Sequence, residues 1–212
     1  MKFVPYGDPQ RFTHRLEAFS DIVIGFSLAQ LSLSLAIPHR VTDLLQRPGG
    51  FFAFAITFVI ICMMWLRHHK WFEHYFVPTA PTVILNFAIL GAIVLLVYAL
   101  QVFLHFISRG EDFWSAFSLY LGALALVTFL FAVAYGIGVT RPRASMTDDI
   151  RVAGYVQTFR LFGATAGTLA GLLITLLLAA SSTLMFAVIA CIAVGAALGR
   201  YLGNLVAERV VR

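Results

Sequence analysis

Six apolar runs, each long enough to cross a bilayer as a helix, set the limits on what this chain can become. They extend approximately over residues 19–38, 51–66, 81–106, 113–140, 159–180 and 183–202. A hydrocarbon core of roughly 30 Å is crossed by ~20 helical residues. The runs are unbroken and show no period-two alternation, and lipid offers no partner to a bare backbone polar group. Helices are therefore predicted, not barrel strands. The expected fold is an all-α integral membrane protein, with residues 1–212 forming a single six-helix transmembrane domain. The first run follows a polar leader and lacks a small-residue cleavage site, so it reads as a retained helix and not as a signal peptide.

Composition points the same way. Hydrophobic residues make up 60% of the chain and charged residues only 12%, a balance that a soluble domain of this size could not bury. The net charge of +5 does not imply nucleic acid, because the basic residues are scattered between the apolar runs. They read as topology signals. With a cytoplasmic N-terminus, all the Lys and Arg residues fall on the inner side except Arg40, Arg47 and Arg109. The positive-inside rule then predicts a multi-pass protein with both termini cytoplasmic. Cys62 and Cys191 sit inside apolar runs and read as small buried hydrophobes, not as a disulfide or metal pair.

Two polar patches interrupt this pattern. The chain enters its first apolar run through Arg15-Leu16-Glu17-Ala18-Phe19-Ser20-Asp21. A charge at helix-centre depth costs about 2.5–3.5 kcal/mol on insertion scales unless it is paired or wet, so residues kept near that position have a use. The second patch is Trp65-Leu66-Arg67-His68-His69-Lys70 at the inner end of the second helix, with Asn86 near the inner end of the third. The topology places both patches at one depth. An Asp beside histidines and an indole N–H satisfies its hydrogen bonds there, which offsets burial. His68, His69 and His74 as metal ligands is the competing reading. It is the weaker one, since the six histidines are too few, and His14, His39 and His105 too far apart, for a di-iron site. No nucleophile, metal box or acid pair is arranged along the chain, so neither an enzyme nor a cofactor is expected.

At 100° per residue, Phe19, Val23, Phe26, Gln30, Leu33 and Ile37 share one stripe of the first helix. The rest of that helix is rich in small side chains, including Gly25, Ser27, Ala29 and Ser32. Two readings fit: a central helix in a monomeric bundle, or a pore-lining helix at a symmetry axis. In the second, rings of Phe26 and Leu33 form hydrophobic constrictions that gate by dewetting. The last two helices carry Gly163, Gly167 and Gly171 against Gly195, Gly199 and Gly203. Small residues at this spacing predict a tightly packed hairpin that serves as scaffold.

The Arg-x-x-x-Phe-Ser-Asp motif (Arg15, Phe19, Ser20, Asp21) and the Trp-x-x-His-His motif (Trp65, His68, His69), followed by Leu85-Asn86, resemble the prokaryotic members of the transmembrane-protein-175 potassium channel family. The resemblance covers roughly residues 11–105. It implies six-helix subunits assembled as a homotetramer in a prokaryotic inner membrane, with the first helices around a central pore. It implies potassium preference without a Thr-Val-Gly-Tyr-Gly filter, a run this chain lacks. It also implies that Arg15, Ser20 and Asp21 join the Trp and His residues in a network bracing the pore helix from the cytoplasmic side. Expected partners are potassium ions, bound only in transit, the lipid bilayer and further copies of the chain, with no nucleic acid.

This chain departs from the family pattern at several positions. Ile22 stands where a Gly usually follows the signature Asp, and Phe26 replaces the usual Ile or Leu of the constriction. Gln30 replaces another aliphatic side chain, and Ala29 stands near the place of a Thr. The function expected is a passive potassium-preferring cation channel with its constriction on the first helix. Phe26, Gln30 and Leu33 would line the pathway, with Val23 and Ile37 at its margins. Two alternatives stay open on the residues alone. One is a proton leak or proton-coupled transporter using Asp21 with His68 and His69 as a relay. The other is a non-conducting membrane scaffold, which the bulk of Phe26 would suit.

Overall fold

The computed structural model describes residues 8–33, 49–107, 112–141, 146–178 and 182–211. Among them are six α-helices: α1 (Pro9–Leu33), α2 (Gly49–His74), α3 (Ala80–Ile107), α4 (Phe113–Thr140), α5 (Asp148–Leu177) and α6 (Ser182–Val211). All six are long and apolar enough to cross a membrane. At 1.5 Å per residue even the 25-residue α1 spans ~38 Å.

Several helices outrun the apolar runs, and the reason is local chemistry. Asp8 accepts the backbone N–H of Gln10 at 2.9 Å and Pro9 takes the first helical position, so α1 starts well ahead of Phe19. Helix α2 continues through the cationic patch to His74. Thr147 caps α5 by accepting the N–H of Ile150, and Asp148 and Asp149 in the first turn complement the helix dipole. Hydropathy registers only the part of a helix that faces lipid, not these polar turns. Residues 34–38 of the first apolar run and the connection near Ser181 lie outside the described residues.

Helices α3, α4, α5 and α6 pack in sequence, each on the next, and the α5–α6 contact is the most extensive. The glycine stripes explain that contact. A methyl group added at Gly163 would run into the carbonyl oxygen of Gly195, at Gly167 into that of Cys191, and at Gly199 into that of Phe159. Backbone therefore lies on backbone, the close approach that replaces hydrophobic driving force in lipid. Polar side chains stitch neighbouring helices together. Thr165 donates to Thr128 and Ser118 pairs with Thr175 between α5 and α4, while Thr57 of α2 pairs with Tyr120 of α4, each at 3.0 Å. Large apolar residues such as Ile84, Leu177 and Phe186 are exposed, as they would be with lipid for a solvent.

Candidate functional site

Helix α1 packs on α2 and α3. It buries Leu16, Ser20, Ile24, Ser27 and Leu31, a stripe with the i, i+4, i+7 spacing of one helix face. The two serines tolerate burial because each returns its hydroxyl proton to its own helix. Ser20 donates to the Leu16 carbonyl at 2.8 Å and Ser27 to the Val23 carbonyl at 2.9 Å.

From Ser20 a directed chain of hydrogen bonds runs across three helices. With its proton given to Leu16, Ser20 Oγ accepts from Asn86 Nδ2 at 3.1 Å. Asn86 Oδ1 is then the acceptor for His68 Nε2 at 2.7 Å. An oxygen acceptor requires the imidazole to carry its proton on Nε2, which leaves Nδ1 as a buried lone pair without a partner. Ser20, His68 and Asn86 are all fully buried. Aromatic rings enclose the imidazole, with Phe72 at 4.8 Å between centroids and Phe131 edge-on at 6.4 Å.

Beside this chain stands a two-rung ladder between α1 and α2. Trp65 Nε1 donates to Asp21 Oδ1 at 2.9 Å, and His69 Nδ1 meets Glu17 Oε1 at 3.1 Å. The spacing produces the rungs: Glu17 and Asp21 are four residues apart on α1, as are Trp65 and His69 on α2, and the helices run antiparallel. His74 pairs with neighbouring Glu73 at 3.4 Å. The three histidines of α2 thus go to three different partners. Among the described residues no group of three His, Cys, Asp or Glu side chains is placed to hold a metal.

The C-terminal end of α2 is itself anchored from behind. Trp71 Nε1 donates to the Ala134 carbonyl at 3.0 Å, Tyr135 to the Arg67 carbonyl at 2.8 Å, and Tyr75 to the Ile150 carbonyl at 2.6 Å. The polar network therefore rests on α4 and α5, so α1 is tied to a frame that reaches across most of the subunit.

Of the residues singled out in the sequence, Ser20, Asp21, Trp65, His68, His69 and Asn86 come together here. Arg15 does not join them. It is exposed, and among the described residues it forms no ion pair. Phe19 turns outward and meets Phe87 of α3 edge-on at 6.1 Å. Sequence reasoning passed over Glu17 and Phe87. The matching four-residue spacings on α1 and α2 were the signal for Glu17.

Among the described residues, none covers the opposite face of α1. Phe26 is 72% exposed and Leu33 83%, with Gln30 and Ile22 exposed beside them. Val23 is half-buried and packs on the core, so Ile22 takes the outward position in its turn. Ile37 lies outside the described residues. One helix thus presents to its own subunit a back of leucine and isoleucine side chains with two hydrogen-bonded serines, and an apolar front, broken by one carboxamide, to whatever lies beyond.

Residues 15–97 match the profile of the family described as the endosomal/lysosomal potassium channel TMEM175. Over that stretch the chain resembles the TMEM175 family. The matched segment holds every member of the network and ladder, from Glu17 to Asn86. A potassium channel of Chamaesiphon minutus is 34% identical over 72 residues, covering 30% of this chain. The chain spans about a third (36%) of that curated relative. The crystal structure of a variant of the potassium channel MtTMEM175, bound to a nanobody–MBP fusion protein, superposes with a TM-score of 0.64 at 19% identity. That match covers 92% of this chain and 93% of the other, so the likeness of fold continues through α4, α5 and α6, beyond the segment matched by the family profile.

Proposed function

We propose that this chain is one subunit of a passive, potassium-preferring cation channel. In this reading it is a homotetramer in a prokaryotic inner membrane, has both termini cytoplasmic, and performs no catalysis. Four copies of α1 surround the pathway. Phe26, Gln30 and Leu33 face it, with Val23 and Ile37 at its margins, and Phe26 forms the hydrophobic constriction.

The observation that carries this reading is the two-faced character of α1. Its back is held by the buried Ser20–Asn86 bond to α3 and by the Trp65–Asp21 and His69–Glu17 bonds to α2, while Phe26, Gln30 and Leu33 lie on a face that no other described residue covers. A helix fixed in this way can hold a ring of side chains in register around an axis, and an apolar ring gates by dewetting. The TMEM175 profile match and the two potassium-channel relatives support the ion named.

The hydrogen-bond chain argues against a proton relay. It ends on the Leu16 carbonyl, which has no proton to pass on, so the chain braces and does not conduct.

Potassium flux into liposomes tests the proposal. Phe26→Ala is expected to raise flux, and Gln30→Leu to change the potassium-to-sodium ratio or block. Flux unchanged by both substitutions would mean that α1 does not line the path.

A further inference from the structure

A cavity of about 530 Å³ opens between the inner halves of α2 and α5, away from the uncovered face of α1. Arg67, Lys70 and Arg160 line it, with Asp149 as the carboxylate among its lining residues. Arg67 feels the positive charge of Arg160, and among the described residues none of the three cations forms an ion pair. Three cations against the one carboxylate of Asp149 leave the lining net positive, and an anion seated between them relieves their repulsion. The inner wall is firm because the hydroxyls of Tyr75 and Tyr135, both lining the cavity, are committed to the carbonyls of Ile150 and Arg67.

We propose that this cavity binds the phosphate of an anionic membrane lipid. The pattern along α2 selects a lipid over a free anion. Met63, Leu66, Arg67 and Lys70 have i, i+3, i+4, i+7 spacing and all line the cavity, so a single helix face passes from exposed apolar to cationic. An acyl chain lies along Met63 and Leu66 while the phosphate sits at Arg67, Lys70 and Arg160. The depth agrees: Arg67 directly follows one apolar run, and Arg160 stands at the start of another. Both therefore lie at the edge of the hydrocarbon, where headgroup phosphates are found and where basic pockets between helices take anionic lipids. The site needs a membrane but not conduction, so it stands apart from the channel reading.

Native mass spectrometry of the intact assembly tests it, with phosphatidylglycerol and phosphatidylcholine as competing probes. Wild type is expected to retain phosphatidylglycerol preferentially. The double variant Lys70→Gln, Arg160→Gln alters two exposed side chains and should lower that retention by about tenfold or more. The charge-preserving pair Lys70→Arg, Arg160→Lys should keep it, which separates lost charge from lost fold. Arg200→Gln, which removes an exposed charge outside the cavity, should also keep it. Equal loss in Arg200→Gln would reduce the effect to general surface attraction and overturn the site. Displacement of phosphatidylglycerol by millimolar inorganic phosphate would overturn the lipid as its occupant, and no lipid preference in wild type would overturn both.

Discussion

His68 and Asn86 meet at 2.7 Å in the middle of a fully buried cluster, and the bond has a fixed direction. Asn86 has already given an amide proton to Ser20, so its oxygen must accept from the imidazole. Three helices are joined by this one carboxamide.

Replacing Asn86 with Leu should therefore cost more than the bond it removes. The His68 Nε2–H is left buried and unsatisfied, a penalty of about 1–3 kcal/mol. Removing both partners is different, because two apolar groups leave nothing orphaned. The double variant His68→Leu, Asn86→Leu should recover a good part of the loss. Thermal unfolding of the purified protein reads this, and losses that simply add would deny the coupling.

The rungs between α1 and α2 should behave otherwise. His69 is 52% exposed and its contact with Glu17 is open to water, so His69→Gln or Glu17→Gln should cost about 0–1 kcal/mol, less at high salt. Trp65→Phe removes a hydrogen bond to an ionised carboxylate and should cost about 1.5–3 kcal/mol, at the low end because the site is partly exposed. Denaturation midpoints ranked Glu17→Gln above Trp65→Phe above Asn86→Leu would match the geometry. The reverse order would not.

How far these contacts were readable in advance depends on their physical origin. The membrane helices and the glycine hairpin follow from composition and spacing, which the sequence states outright. Ser20, Asp21, His68 and Asn86 stood out because polar groups at such depth are costly. Arg15 stood out for the same reason, yet the helix turn that buries Ser20 points Arg15 outward, and a motif carries no direction. A stripe drawn at 100° per residue puts Val23 beside Phe26, and in the fold Val23 is half-buried against the core while Ile22 is the more exposed residue of that turn. The cationic cavity could not be read at all, since Arg67 and Arg160 are far apart in the chain and come to one cavity only because α2 and α5 each pack against α4.

The α5–α6 contact makes a separate prediction. Gly167 lies against the backbone of Cys191 and Ile192, and backbone cannot step aside as a flexible side chain would. Gly167→Val should exceed the ~1–3 kcal/mol usual for overpacking. Gly122 has open space where its Cβ would lie, so Gly122→Ala should instead stabilise by up to about 1 kcal/mol through helix propensity. Amide hydrogen exchange distinguishes them: faster exchange localised to α5 and α6 in Gly167→Val, and unchanged or slower exchange along α4 in Gly122→Ala.

Thiol chemistry can separate a water-lined face from a lipid-lined one. Both native cysteines are free and half-buried, so the test starts from Cys62→Ala, Cys191→Ala. On that background Phe26→Cys and Ile84→Cys each replace a side chain at least 67% exposed in the subunit, whereas Ile24→Cys replaces one that is 1% exposed. Exposure within one subunit does not distinguish water from lipid, but a charged thiosulfonate reagent does, because it reacts with thiolate and thiolate forms only where water reaches. In proteoliposomes Phe26→Cys should react and lose potassium flux as it does so. Ile84→Cys should resist the charged reagent yet take up an apolar maleimide, and Ile24→Cys should resist both. Equal resistance at Phe26→Cys and Ile84→Cys would place the front of α1 in lipid, leaving it no pathway to line.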